Sequence, residues 1–290
     1  MPEFKRQHFL PASYLKYFST DRQNCSRDSF IWRFDGKALR LVPVTSQCSE
    51  DYFYSKTDAA KTEQMFQKAE SNYCNCVDRI FKNQAPSGIE YGNLVIAMFD
   101  LHLRNRVHKN LTGKQRIDAY NLCSGIFVNE ILLGRKDRRA TKEDLVEHVQ
   151  NYWGVHVFQI SGISEFVTSD HPSMWTILKM PSDGSHPRLH MVTLPLTPKH
   201  TAVAFDNRVL QIFDDPLSVN DEQTLNIGQI QNADQCIYTS GRLSDEHMEM
   251  MRGHFAKNEP SPCEVRENGW KLSLQYLPPE HHFSFTPIRA

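Results

Sequence analysis

The chain has 290 residues, 40% of them hydrophobic and 11% aromatic, enough to bury a sizeable core as one large domain or two small ones. Its 33 Lys and Arg against 34 Asp and Glu leave a net charge of −1, which excludes a globally basic nucleic-acid coat but not a local basic groove. There is no apolar run of the roughly 20 residues that a spanning helix needs. The charged start, Met1 to Gln7, lacks the apolar centre of a signal peptide, so a protein off the membrane and in the cytoplasm is expected.

The chain opens with Arg6-Gln7-His8 and then a short helix that begins at Pro11, where a missing N–H costs nothing. Tyr14, Leu15 and Phe18 recur at helical spacing and give it one apolar face, so His8 stands just ahead of a packed element. Ser29–Phe34 and Ala38–Val42 alternate apolar and polar residues around Asp35-Gly36, a hairpin signal. Asp51–Tyr54 reads as a short strand.

Thr57 or Asp58 can cap a helix running to about Lys82, and Pro86-Ser87-Gly88 breaks it. A strongly apolar helix follows from Ile89 to about Lys109, then a third ending at Gly134, a basic connector Arg135–Arg139, and a fourth that starts near Thr141 and ends at Gly154. The period then changes to two. Strands are predicted at Val155–Ile160, Glu165–Thr168, His190–Leu194, Thr201–Phe205, Val209–Phe213 and Gln235–Thr239, with a flexible loop over Pro181–Pro187. Ser218 caps a helix to about Gln231, Ser244–Phe255 forms a last one, and the tail from Asn258 is proline-rich and reads as partly irregular.

Helices and strands are segregated rather than alternating. That predicts an α+β fold: a helical bundle over about 57–153, packed beside a mainly antiparallel sheet drawn from 29–54 and 155–240, all within a single integrated domain over 1–290. The seven cysteines, odd in number and irregularly spaced, argue against a disulfide framework and for reduced thiols. Cys74-x-Cys76 is too tight for a zinc clip and reads as a pair of helix cysteines.

Four short segments resemble one known family. They are the opening His8-x-x-Pro11-x-x-Tyr14-Leu15-x-x-Phe18, the helical Leu101-His102-Leu103-Arg104-Asn105-Arg106, the segment Phe166–Pro172 with Ser169-Asp170-His171-Pro172, and Leu194-Pro195-Leu196-Thr197-Pro198. In this order they are similar to the domain-of-unknown-function 4238 family, found mostly in bacteria. His171 departs from the pattern, which usually has Asn there. The resemblance implies a fold more than an activity.

No glycine-rich phosphate loop, nucleophile elbow or zinc-protease helix is present, so no cofactor and no metal are assigned. The remaining chemistry is that of His, Arg and Asp. His8, between Gln7 and the helix, suits general acid–base work because its ordinary pKa lies near working pH; its plainer role is a hydrogen bond at the helix start. Arg104 and Arg106 are two apart and cannot share a helix face; Arg104 is the one set to point inward. Its guanidinium offers a planar fork for phosphate or carboxylate, or else an intrahelical pair with Asp100. Asp170, held before His171-Pro172, can orient His8, act as a base or metal ligand, or close a turn on nearby N–H groups. His102 and His108 read as surface or core histidines.

These residues frame two readings. One is a hydrolase or nuclease-like enzyme on a phosphate-containing substrate, nucleic acid or nucleotide, with His8, Arg104 and Asp170 catalytic and Gln7, Arg106 and His171 binding substrate. The other is a non-catalytic binding or sensor module, or a purely structural polar network, built from the same groups.

Overall fold

The computed structural model describes residues 5–21, 23–54, 59–104, 151, 153–163, 165–178, 189–206, 217–241, 243, 245–256, 264–267 and 270–273. The expected helices after Arg104, the strand Val209–Phe213, the loop Pro181–Pro187, the caps Thr57 and Asp58, and Arg106 and His108 lie outside the described residues.

In chain order the elements are β1 (Arg6–His8), α1 (Ala12–Leu15), β2 (Phe30–Phe34), β3 (Leu39–Pro43), β4 (Ser49–Asp51), α2 (Ala59–Phe81), α3 (Gly88–Leu103), β5 (Trp153–Gln159), β6 (Thr168–Ser169), β7 (Met174–Leu178), β8 (Leu189–Thr197), β9 (His200–Asp206), α4 (Val219–Asn232), β10 (Ile237–Thr239), α5 (Asp245–Ala256), β11 (Glu264–Glu267) and β12 (Trp270–Ser273). The fold is α+β. Two four-stranded antiparallel sheets run in the order β5-β9-β8-β7 and β3-β2-β10-β6, and the pairs β1-β4 and β11-β12 are separate.

Local chemistry explains most element boundaries. Pro11 is the cap of α1 rather than its first residue: its extended ψ of 139° ends the incoming chain. Its carbonyl takes the N–H groups of Tyr14 (3.0 Å) and Leu15 (3.2 Å), and a 3₁₀ turn over Lys16–Phe18 continues the helix. In the β2–β3 hairpin Phe34 pairs with Leu39, and the Asp35 carboxylate accepts the N–H groups of Lys37 and Ala38. Gly36 there has a φ of 82°, which glycine adopts without strain, and a Cβ at this position would meet Phe255 at 2.8 Å. α3 opens with a capping box, Ser87 Oγ taking the Glu90 N–H and the Glu90 carboxylate taking the Ser87 N–H. Ser218 and Asp221 do the same for α4.

Two expectations are corrected. Gly154 does not end a helix; it sits inside β5, opposite Phe205, because the sheet register claims it. The strand expected at Asp51–Tyr54 lies at Ser49–Asp51, since Cys48 (φ 50°) and Tyr52 (φ 56°) turn the chain at either end. β7 went unread behind Pro172. Within the partly irregular tail, β11 and β12 form an antiparallel pair.

The sheet β5-β9-β8-β7 is apolar on both faces, and this builds the core. From one face Val192, Leu194, Leu196, Ala202 and Ala204 pack with Leu94, Met98 and Leu101 of α3 and with Tyr14, Leu15 and Phe18 of the opening. From the other, Met191, Val203 and Phe205 pack with Phe158, Phe166, Leu217 and Leu225 of α4. The second sheet closes its outer side with Phe34, Ile237, Ile230 and Met251.

α4 also carries a buried polar row at helical spacing: Glu222, Asn226, Gln229 and Asn232. It fastens the backbone of the preceding segment step by step. The Glu222 carboxylate takes the N–H groups of Gly162 and Ile163 (2.9 Å each). Asn226 takes the Val167 N–H and donates to the Glu165 carbonyl, both at 2.9 Å. Gln229 and Asn232 donate to the carbonyls of Pro172 (2.6 Å) and His171 (2.5 Å). An irregular segment can be buried here because side chains answer its backbone groups.

Candidate functional site around His8

β1 holds His8 opposite Ser49 of β4. The preceding side chain, Gln7, is fully buried and accepts the Tyr54 N–H at 2.6 Å, which anchors the strand. The His8 ring is partly exposed, and its Nε2 lies 3.2 Å from the Thr45 carbonyl. A carbonyl only accepts, so Nε2 carries the hydrogen and Nδ1 keeps its lone pair. Among the described residues no hydrogen bond to Nδ1 is formed. Burial lowers the His8 pKa, and the charges of Arg27 and Arg6 push the same way, against the Thr45 carbonyl and Glu70. The imidazole is therefore neutral at neutral pH.

Arg104 sits directly behind this histidine. It is the residue at the C-terminal end of α3, with 6% of its surface exposed. Its Nε donates to Tyr54 Oη (2.9 Å), Nη1 to Glu70 Oε1 (3.2 Å) and Asp100 Oδ2 (3.5 Å), and Nη2 to Glu70 Oε1 (3.2 Å) and the His8 carbonyl (3.1 Å). These five bonds match the five N–H groups of a guanidinium. Phe66 lies beneath it, 3.9 Å from the guanidinium carbon to the ring centre. Burial opposes the charge, but Tyr54, Asp100 and Glu70 outweigh it and hold the group protonated. Tyr54 Oη in turn donates to the His8 carbonyl at 3.2 Å, and Ser13 Oγ donates to Glu70 Oε2 at 2.9 Å.

The sequence pointed to both readings of Arg104, and the geometry combines them. The inward fork exists, but it grips Glu70, Asp100 and the main chain of His8. Glu70, Tyr54, Thr45 and Arg27 were not legible as site residues. Glu70 stands on a helix of mixed composition, and only tertiary packing brings it under Arg104.

Asp170 and His171 are held by other elements. Asp170 is 3% exposed, and its two carboxylate oxygens accept the N–H groups of Asp234 and Gln235, both at 2.9 Å. This is the turn-closing role, which joins the end of β6 to the start of β10. The His171 ring lies against that of His102, with centres 5.2 Å apart, and both are buried. His102 donates from Nδ1 to the Ser173 carbonyl (2.9 Å), and burial lowers its pKa to about 4.

The four family-like segments meet through the opening one. Tyr14 Oη donates to the Pro195 carbonyl (2.8 Å) and takes the hydroxyl of Thr168 (2.7 Å), while Arg104 reaches His8. Tyr14 was read only as an apolar helix residue; its hydroxyl is the joint.

Chemically, the site offers one neutral imidazole whose Nδ1 takes no hydrogen bond among the described residues. Two cations stand near it. Arg6 is exposed and bonds to Ser49 Oγ and the Ser46 carbonyl, and Arg27 is exposed on the following loop. Among the described residues no three His, Cys, Asp or Glu side chains are grouped to hold a metal ion, and no helix is long and apolar enough to cross a membrane.

No curated protein and no solved structure matches the chain. One family model does, over residues 6–124 and 135–242, and its description is "protein of unknown function". That match takes in the opening, the α3 segment and both later motifs, and the chain belongs to the domain-of-unknown-function 4238 family.

Proposed function

We propose that the protein is a hydrolase of phosphate-containing substrates, nucleotide or nucleic acid, in which His8 is the general base. Its Nδ1 takes a proton from the attacking water while Arg6 and Arg27 meet the charge of the phosphate. Arg104 is a positioning residue in this scheme, since its donors are committed to the protein. Asp170 secures the turn that follows β6.

One observation carries the reading. The His8 main chain is gripped by Arg104, Tyr54 and β4, and its ring by Thr45, yet among the described residues Nδ1 takes no hydrogen bond, and the charges of Arg27 and Arg6 act on the ring. So much fixation around one neutral imidazole is the preorganisation that proton transfer requires. The second reading, a non-catalytic ligand-binding module, draws on the same commitment of Arg104 and Asp170 to the fold.

The test is turnover of bis(4-nitrophenyl) phosphate, pyrophosphate and a single-stranded oligonucleotide, each with and without Mg²⁺ or Mn²⁺. Hydrolysis of one of them is expected. His8→Gln should abolish it without moving the melting temperature, and Arg27→Gln should raise KM. No turnover of any of them, or full activity in His8→Gln, overturns the enzyme reading.

A further inference from the structure

The β2–β3 hairpin presents an apolar face next to the His8 site. Phe30 pairs with Pro43 and Trp32 with Leu41, and alternation along the strands puts these four side chains on one face. The other face, with Ile31 and Val42, packs into the core. At the turn end the apolar face is closed: Phe34 is buried and lies against Phe255 of α5, ring centres 5.9 Å apart. At the opposite end it is open. Phe30 and Leu41 are each 47% exposed, Pro43 is exposed and Trp32 is partly so. A scattered apolar residue on a surface is ordinary, but a contiguous group that includes two aromatic rings marks a binding surface.

The open end is the one joined to His8. Two residues after Pro43 stands Thr45, in the 3₁₀ turn Val44–Ser46, and its carbonyl holds the His8 ring. Arg6 donates to the Ser46 carbonyl of the same turn at 3.0 Å. Three residues before Phe30 stands Arg27, exposed in a turn closed by the Ser29 N–H on the Ser26 carbonyl (3.2 Å). One end of one hairpin therefore carries the aromatic face, two arginines and the turn that fixes the imidazole.

We propose that this face binds single-stranded nucleic acid, with bases stacked on Phe30 and Trp32 and the adjoining phosphate at Arg6, Arg27 and His8. The proposal deepens the reading of His8 as a general base and rests on it only for cleavage of that phosphate. Side chains two apart on a strand stand about 7 Å from each other, so each ring takes a base of its own. Aromatic rings beside cations that track the backbone are the means by which single strands are held without sequence preference. An inorganic phosphate has nothing to lay on the rings, and a purely apolar partner leaves the two arginines unanswered. Strand addition by a second copy is disfavoured at the β3 edge. The Val44 N–H points inward to the Ser29 carbonyl (3.0 Å), so Leu41 and Pro43 turn their backbone outward, and Pro43 has no N–H to give.

The experiment is fluorescence anisotropy of labelled oligothymidylate and oligouridylate of about 12 nucleotides, titrated with the full chain, alongside turnover of pyrophosphate. At least one oligonucleotide should bind, and unlabelled single strand should compete better than duplex. Phe30→Ser should weaken binding about tenfold, as the loss of one stacked base, while Phe30→Trp should preserve it, with both variants melting as the wild type does. Equal binding by Phe30→Ser and the wild type overturns the proposal. So does a wild type that sediments as a dimer while Phe30→Ser is a monomer, since the face then takes a second copy. Pyrophosphate turnover without oligonucleotide binding sinks this proposal and leaves the His8 reading standing. Oligonucleotide binding that depends on Phe30, without turnover of any substrate, supports the surface and removes the base.

Discussion

Arg104 touches His8 at the main-chain carbonyl, 3.1 Å from Nη2, while the His8 ring turns away to Thr45. Arg104 therefore fixes the histidine's backbone, while the imidazole is held by Thr45 instead. The surrounding carboxylates show why an arginine is needed: Glu70 and Asp100 sit on two different helices, and one planar fork serves both.

Arg104→Ala should lower stability by about 3 kcal/mol, because it removes five bonds and leaves partly buried carboxylates facing each other. The carboxylates keep about a quarter of their surface, which tempers the loss. Arg104→Lys should recover less than half of it, since an ammonium cannot reach Tyr54, Asp100, Glu70 and the His8 carbonyl together. Urea denaturation of the two variants gives both numbers. Wild-type stability in Arg104→Lys would show that only the charge matters.

Asp170→Asn should cost about 1–3 kcal/mol, since one of the two backbone N–H groups at 234 and 235 loses its acceptor inside the protein. Asp170→Ala should cost more. A drop in turnover with no change in the urea midpoint would instead make Asp170 part of the chemistry.

The buried His102 sets a pH dependence. Its folded pKa of about 4 lies below the ordinary value of 6.5, so the native state refuses a proton that the unfolded chain accepts. The stability this supplies is whole above pH 6.5 and falls as pH drops toward 4, by about 3 kcal/mol in total. His8, lowered in the same direction, adds to the slope. Urea midpoints between pH 7 and pH 4.5 should fall steeply in the wild type and less steeply in His102→Gln. Equal slopes would contradict the burial argument.

Asn83 stops α2 with a φ of 55°, its N–H bonded to the Ile80 carbonyl and the next N–H to that of Arg79. Asn83→Gly should leave stability unchanged or higher, and Asn83→Val should lower it by about 1–2 kcal/mol through left-handed strain. Thermal melting of the pair decides; a valine variant as stable as glycine would mean the turn relaxes.

The fold class was legible because period and punctuation are local. The hairpin at Asp35-Gly36, the Ser218 cap of α4 and the Ser87–Glu90 capping box of α3 each follow from a few neighbouring residues. Gly154 was misread because its glycine signal is real but β9 claims the position for a strand. The site was legible only in part. His8 and Arg104 stood out through motif and chemistry, and the structure brings them together. Glu70 and Tyr54 come from distant stretches, and the hydroxyl of Tyr14 matters only once Thr168 and Pro195 arrive beside it. The polar row of α4 is spaced like any solvated face, and its burial depends on the backbone it meets.

The central claim, that His8 presents a neutral imidazole with an open Nδ1 to an anion, is tested most directly by ¹⁵N NMR of the His8 ring across pH, with and without inorganic pyrophosphate. The account predicts the Nε2–H tautomer, a pKa below the ordinary 6.5, and an upward shift on adding pyrophosphate that Arg27→Gln diminishes. An Nδ1–H tautomer, or a titration indifferent to pyrophosphate at every pH, would contradict it.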